Sequence, residues 1–457
     1  MSKITRRSLL LAAPLSAYSL PLAPYGATPS ARQIHWGELD FYNFLHFTVN
    51  TFTDKEWGYG DESPSIFNPT NFDADAIVET LKAAGSKGVI LTCKHHDGFC
   101  LWPTKTTQHS IQYSPYKNGK GDIVKEVSEA AGRHGLKFGV YLSPWDRNQA
   151  TYGTPAYIPI YREQMRELLT GYGPVFEIWH DGANGGSGYY GGARETRTID
   201  KLHYYDWPGT WALERKLQPG ACIFSDVGPD VRWIGNEKGI AGETCWATFT
   251  PRSPNGGPGA PGDVVASENT TGTRNGKYWM PAECDVSIRP GWFWHPAENS
   301  KVKTPRELLD LYYESAGRGA SFLLNVPPDR RGLIYDTDAV SLRTFGRILR
   351  DTFAQNLAAG AKITSTPDSV TLDLPRPVSF DLVRLRENTR LGQRIAAFAV
   401  DIWADGRWST FGRGTSIGIR KIVRSNQKVI TRRVRVRITD CPVPPALADI
   451  GLFAEAS

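Results

Sequence analysis

Through the first three quarters of the chain, short unbroken apolar runs alternate with longer stretches of helical spacing. The runs are Asn43–Phe47, Gly88–Thr92, Lys137–Leu142, Val175–Trp179, Ala221–Ser225 and Phe322–Val326. Their near-continuous hydrophobicity predicts strands buried on both faces. Between the first two, Asp73–Ala84 places Ala76, Ile77, Thr80, Leu81 and Ala84 along one side of a helix. Further helices are predicted over Asp122–His134, with Gly135 to stop it, and over Tyr161–Tyr172, Trp207–Leu217 and Pro305–Gly317, the last with proline near its first turn. Strand–helix units repeated in this way imply a parallel sheet. Five or more in series favour an α/β fold of the (β/α)8-like barrel type over residues 31–354. An open doubly wound sheet is the alternative, but no GxGxxG follows the first strand, which lowers its dinucleotide-binding version.

After about residue 355 the helical spacing stops. Val370–Leu374, Val378–Leu385, Ile395–Trp403, Trp408–Phe411, Ile417–Val423 and Val429–Ile438 all read as strands, with Asp405-Gly406 as a hairpin turn between two of them. Residues 355–457 are therefore predicted to form a C-terminal β-sandwich domain. Within it, residues 378–440 carry 14 Lys and Arg against 5 Asp and Glu. A polyanion-binding surface and an ordinary solvated strand face are both compatible with that excess, and the solvated face is favoured.

Residues 1–30 have a different character. Lys3, Arg6 and Arg7 precede an apolar run from Leu9, and small residues follow near Ala27. This is the layout of an export signal, which would be removed from the working protein. The Arg6-Arg7 pair ahead of Ser8-Leu9-Leu10 resembles a twin-arginine signal, with the basic start of a general secretion signal as the alternative. Either predicts an exported protein, periplasmic or extracellular. Beyond this segment no run is long and apolar enough for a membrane span. A net charge of +6, from 53 basic and 47 acidic residues, is too weak and too mixed to argue for nucleic acid. The 6 cysteines are scattered without metal-ligand spacing.

In a parallel barrel the chemistry collects where the strands end. The first four ends read Leu45-His46-Phe47, then Cys93-Lys94-His95-His96-Asp97-Gly98, then Leu142-Ser143-Pro144-Trp145-Asp146, then Trp179-His180-Asp181-Gly182. Imidazoles, carboxylates and indoles gathered in this way predict a polar pocket with aromatic walls, a combination that suits a sugar. A metal site built from His95, His96, Asp97, His180 and Asp181 is disfavoured. Adjacent strand residues point to opposite sides, and no HExxH-type ligand pair is present. Trp102, Trp145 and Trp179 could equally be core or sugar platforms, while Asp97 reads as a residue that orients a neighbouring His or caps the turn at Gly98.

At these residues the sequence resembles the α-L-fucosidases of glycoside hydrolase family 29. The resemblance is carried by HFTVNTFTDKEWGYG (46–60), LTCKHHDGFCLWPTKTTQHS (91–110), LKFGVYLSPWDRN (136–148), IWHDGANGG (178–186), GPDVRWIGNEKGIAGET (228–244) and FLLNVPPDRRGLI (322–334). The GNE form of the later loop is similar to the branch that prefers α-1,3- and α-1,4-linked fucose. The resemblance implies a barrel followed by a β-sandwich, and a retaining hydrolase that needs no metal or other cofactor. It also implies Asp181 as nucleophile, Glu237 as acid/base, and His46, His95 and His96 as fucose ligands. Trp57, Tyr141 and Arg232 stand at motif positions expected to line the pocket. His180 departs from the residue usual before the nucleophile and is given no role. A fucosylated glycan is the implied substrate. A retaining glycosidase for another terminal sugar, or a silent sugar-binding protein, are the rival readings.

Overall fold

The computed structural model describes residues 22–457. The predicted export signal thus lies mostly outside the described residues. Of its last part, Tyr25 N donates to Leu391 O (2.9 Å) in the C-terminal domain.

Eight parallel strands close into a barrel in which chain order is also spatial order. They are β1 (Phe41–Leu45), β2 (Gly88–Lys94), β3 (Lys137–Leu142), β4 (Glu177–Trp179), β5 (Cys222–Ser225), β6 (Val231–Trp233), β7 (Ala282–Ser287) and β8 (Ser321–Asn325). Side chains alternate across each strand. Tyr42, Phe44, Ile90, Tyr141, Trp179, Phe224 and Leu323 belong to one core cluster inside the barrel. Phe41, Leu45, Val89, Leu91 and Val140 belong to the larger cluster that joins the strands to the surrounding helices.

The helices start and stop where the chain chemistry directs. The Asp122 side chain accepts from Lys125 N at the head of Ile123–His134, and Gly135 ends that helix in the left-handed conformation at φ 73°. Thr304 and Glu307 form a reciprocal capping box at the head of Pro305–Glu314. Six of the eight barrel strands were expected from the sequence. The two others, β6 and β7, were not, and neither was the long helix Asp336–Phe353 that follows β8. The β5–β6 link is only residues 226–230 and contains no helix. From β6 to β7 the chain makes a long excursion whose longest regular element is the helix Ala266–Thr271.

The C-terminal domain is antiparallel. Its strands are β9 (Lys362–Thr366), β10 (Ser369–Glu387), β11 (Ala397–Ala404), β12 (Arg407–Thr415), β13 (Lys421–Asp440) and β14 (Leu447–Phe453). They form one hydrogen-bonded network, β9-β10-β13-β11-β12, with β14 on the other half of β10. The long strands β10 and β13 lose register between Asp373 and Val378 and between Phe380 and Leu382. Residues on both sides of these breaks (Leu372 and Leu374, then Phe380, Val383 and Leu385) enter one core with Val400, Val434 and Leu452. The Asp405-Gly406 turn has positive φ at both positions, 52° and 73°, the geometry a two-residue hairpin requires.

Candidate active site

The mouth of the barrel at the C-terminal strand ends holds a cavity of about 400 Å³. His46, Trp57, His95, His96, Tyr141, Asp181 and Glu237 all line it. The strands explain most of these positions. His46 follows β1, His95 and His96 follow β2, Tyr141 is on β3, and Asp181 lies two residues beyond β4.

The histidines are held neutral. Burial, with the nearby Arg147 and Lys94 charges, pushes His96 down to about 3. Ser143 Oγ donates to Trp145 O (2.8 Å), so the same oxygen accepts from Nδ1–H of His96 (2.7 Å). His96 Nε2 is thus an acceptor, 3.7 Å from Asp181 Oδ2. His46 is also pushed to about 3 by burial. Its Nδ1 meets Asn325 Oδ1 at 2.9 Å. The Asn325 amide donates to Ser287 Oγ (2.9 Å) and Trp292 O (2.7 Å), which fixes its oxygen toward the imidazole. His95 is lowered by burial and by the two other imidazoles, and its ring lies 4.0 Å from that of His96. Neutral rings with an unprotonated nitrogen suit hydroxyl protons, as a sugar presents.

The two carboxyl groups sit in different surroundings. Asp181 Oδ2 accepts from Tyr141 OH (2.8 Å) and Oδ1 from Ala183 N (2.7 Å). Burial raises its pKa above the ordinary value, and these two donors hold back part of the rise by favouring the ionised form. Tyr141 is itself braced, stacked on Trp179 at 5.1 Å, while Trp179 stacks on Phe224 and donates to Glu283 Oε1 (2.7 Å). Glu237 has one donor, Trp292 Nε1 at 3.2 Å. Burial raises its pKa, and the Asp181 and Glu56 charges raise it further. Its neighbour in sequence, Glu243, does not reach the cavity and pairs instead with Arg318 at 2.6 Å.

Arg232 is a correction. It was expected in the pocket, but its guanidinium is fully buried behind the barrel wall. Nε donates to Asn269 O (2.9 Å) and Nη1 to Met280 O, and the group lies over the Phe249 ring at 5.0 Å. Alternation explains it: Arg232 and Trp233 are consecutive on β6, and Trp233 takes the pocket side. Asp97 has the capping role expected of it, accepting from Phe99 N (2.7 Å) and Thr48 Oγ1 (3.2 Å). His180 is buried between Tyr161 and Glu214, with contacts of 2.8 and 3.1 Å. Of the undecided tryptophans, Trp179 lines the cavity. Trp145 stands behind Trp57 and His96, and Trp102 is in the core.

The acidic and tryptophan side chains missed along the cavity are Asp226, Trp233, Asp285 and Trp292. Asp285 is driven well up by burial and by the Glu237 and Glu283 charges, and it accepts from Trp233 Nε1 at 2.8 Å. Asp226 is raised to about 7 by burial, against a hydrogen bond from Gly262 N. The alternation of Glu283, Asp285 and Ser287 with Cys284 and Val286 is the sequence signal that could have located β7 and its inward acids. Among the described residues, no three His, Cys, Asp or Glu side chains converge as metal ligands would.

Comparison with known proteins agrees with this architecture. Residues 28–352 match the family model described as alpha-L-fucosidase. The chain is 40% identical to alpha-L-fucosidase 1 of Arabidopsis thaliana, over 100% of its own length and 92% of the plant protein. A glycoside hydrolase 29 family member from an unknown rumen bacterium superposes with a TM-score of 0.89 at 40% identity, covering 95% of this chain and 78% of that one. A Ruminococcus gnavus GH29 fucosidase solved in complex with fucose gives a TM-score of 0.81 at 30% identity, over 96% of this chain and 97% of that one. Closed barrel, antiparallel C-terminal sheet, carboxyl-lined pocket and sequence identity along the whole chain together place this protein in the α-L-fucosidase family of glycoside hydrolases.

Proposed function

We propose that the protein is an exported exo-α-L-fucosidase that releases terminal α-linked L-fucose with retention of configuration, through a covalent intermediate on Asp181. The observation that carries this reading is the pair of unlike carboxyl groups in one cavity. Asp181 receives two hydrogen bonds that favour its anion. Glu237 is buried near other negative charges and so favours its acid form. Retaining hydrolysis asks for this division: an ionised nucleophile and a protonated acid about 5–5.5 Å apart. The neutral histidines are placed to accept hydroxyl protons of the sugar, and Trp57, 52% exposed at the rim, to cover a C–H face. The fucose bound by the Ruminococcus gnavus relative supports the choice of sugar.

The GNE loop at residues 235–237 supports a preference for α-1,3- and α-1,4-linked over α-1,2-linked fucose. Such fucose is branched beside a second sugar, which the rim near Glu237 would contact. Rates on a panel of fucosylated oligosaccharides differing only in linkage test both points. Faster release from the 1,3 and 1,4 isomers is expected. Equal rates on an α-1,2-fucosyllactose would remove the linkage preference, and release of another sugar alone would replace fucose as the substrate. Export is tested by changing Arg6-Arg7 to Lys-Lys, which should hold the precursor in the cytoplasm if the route is twin-arginine. Continued export of that variant would point to general secretion.

A further inference from the structure

The basic excess of residues 378–440 has no part in the sugar site, and part of it is neutralised locally. Arg433 pairs with Asp373 (2.6 Å), Arg435 and Arg437 with Asp401 (2.8 and 2.6 Å), Arg424 with Asp310 (2.7 Å) and Arg384 with Asp449 (2.8 Å). Arg386 and Arg420 are different. Both line a cavity of about 180 Å³ between the foot of the barrel and the C-terminal sheet, together with Arg384, Lys87, Arg350 and Asp40. Of the five cationic side chains there, Arg384 is paired with Asp449 and Lys87 and Arg420 share Asp40, which leaves Arg350 and Arg386 without an ion pair among the described residues.

Asp40 cannot balance them. It already takes Lys87 Nζ and the Tyr312 hydroxyl (3.2 Å), with Arg420 Nη2 at 3.1 Å. Burial alone would raise its pKa, but the Arg420 and Lys87 charges bring it below the usual value. Arg420 is only 2% exposed; its Nη2 is ion-paired to Asp40, but its Nη1 and the buried Arg386 Nε have no hydrogen-bond partner among the described residues. Burial and the adjacent Arg420 and Arg384 charges push Arg386 down to about 10. Buried guanidinium N–H groups without acceptors are costly, and crowding like charges adds to the cost. An anion with several oxygens removes both penalties, because the guanidinium fork matches oxyanion geometry.

We propose that this cavity is a binding site for a small oxyanion of the phosphate class, bridging barrel and C-terminal sheet. Asp40, Lys87 and Arg350 come from the barrel domain, Arg384 and Arg386 from β10, and Arg420 from the residue that precedes β13. The site is at the opposite end of the barrel from the sugar pocket. Asp40 and Lys87 precede β1 and β2, whereas His46 and His95 follow them. A volume of 180 Å³ is the share of about six waters, enough for a tetrahedral oxyanion and too little for a nucleotide. Exposed Lys87 and Arg350 provide the way in.

The test is thermal unfolding of the full mature chain as sodium phosphate replaces sodium chloride at constant ionic strength. A saturable Tm rise of about 2–4 °C by 10 mM phosphate is expected from one-site linkage. Phosphate also strengthens burial in general, but that effect does not saturate and is the same in a variant. Arg386→Gln should lose the saturable part while keeping wild-type hydrolysis of a nitrophenyl fucoside. An equal rise in both proteins would overturn the proposal. Equilibrium dialysis of the unaltered protein against inorganic phosphate gives an answer even if the variant does not fold. About one phosphate per chain, displaced by sulfate, is expected, and no retention would overturn the site. Neither readout depends on fucosidase activity, so the two proposals fail separately.

Discussion

Glu237→Ala is expected to lose on the order of 10²–10⁴-fold in turnover on a fucosylated oligosaccharide, and far less on a nitrophenyl fucoside. A general acid matters most when the leaving group is a poor one, and nitrophenolate departs unaided. The same variant should lose the alkaline limb of the pH–rate profile on the activated substrate. In the wild type that limb reports the proton on Glu237, whose pKa burial and the Asp181 charge hold above its ordinary value. Activity is therefore present while Glu237 is protonated and falls as pH rises through that raised value. Glu243→Ala is the internal control. Glu243 lies in the same glycine-rich segment but pairs with Arg318 and Lys421 outside the cavity. If Glu243→Ala shows the leaving-group dependence and Glu237→Ala does not, the assignment is wrong.

Asp181→Gly should be more damaging, about 10⁴–10⁶-fold, because the covalent step itself is lost. Azide separates the two variants by stereochemistry. In Glu237→Ala the fucosyl-enzyme still forms, azide attacks it, and two inversions give α-L-fucosyl azide. In Asp181→Gly no intermediate forms, and azide entering the vacated space displaces the leaving group once, giving the β-anomer. Finding the β-anomer from Glu237→Ala would mean that the chemistry is a single displacement and that Asp181 is not the nucleophile.

The parts of the site legible in the sequence are those attached to strongly apolar strands. His46, His95, His96, Tyr141 and Asp181 follow or belong to aliphatic runs that could only be buried strands. Strands β6 and β7 escaped because their composition is not that of a buried strand. β6 is three residues with an arginine in the middle, and β7 alternates acids with Cys284 and Val286. Barrel interiors normally exclude such acids. Here Glu283 accepts from Tyr42 and Trp179, and one oxygen of Glu177 accepts from Trp36, partners far away along the chain. The motif position alone points Arg232 to the pocket, and without a strand read there nothing says that 232 and 233 face opposite ways. Trp292 reaches the cavity because its loop is anchored by Glu56 to the backbone of Trp292 and Phe293 (2.8 and 3.2 Å), a contact across more than 230 residues that local pattern cannot contain. The hairpin at Asp405-Gly406, by contrast, is purely local and was legible in full.

The two carboxyl groups are held by different kinds of structure. Asp181 stands just past β4 and accepts from Tyr141 and Ala183. Glu237 stands in a long excursion with little regular structure and accepts from one indole. In the proposed double displacement they have different duties. The sugar must stay tethered to Asp181 while the rest of the glycan departs and water takes its place beside Glu237. The group that keeps its bond is moored by two donors, and the group that trades a proton with each visitor in turn is moored by one.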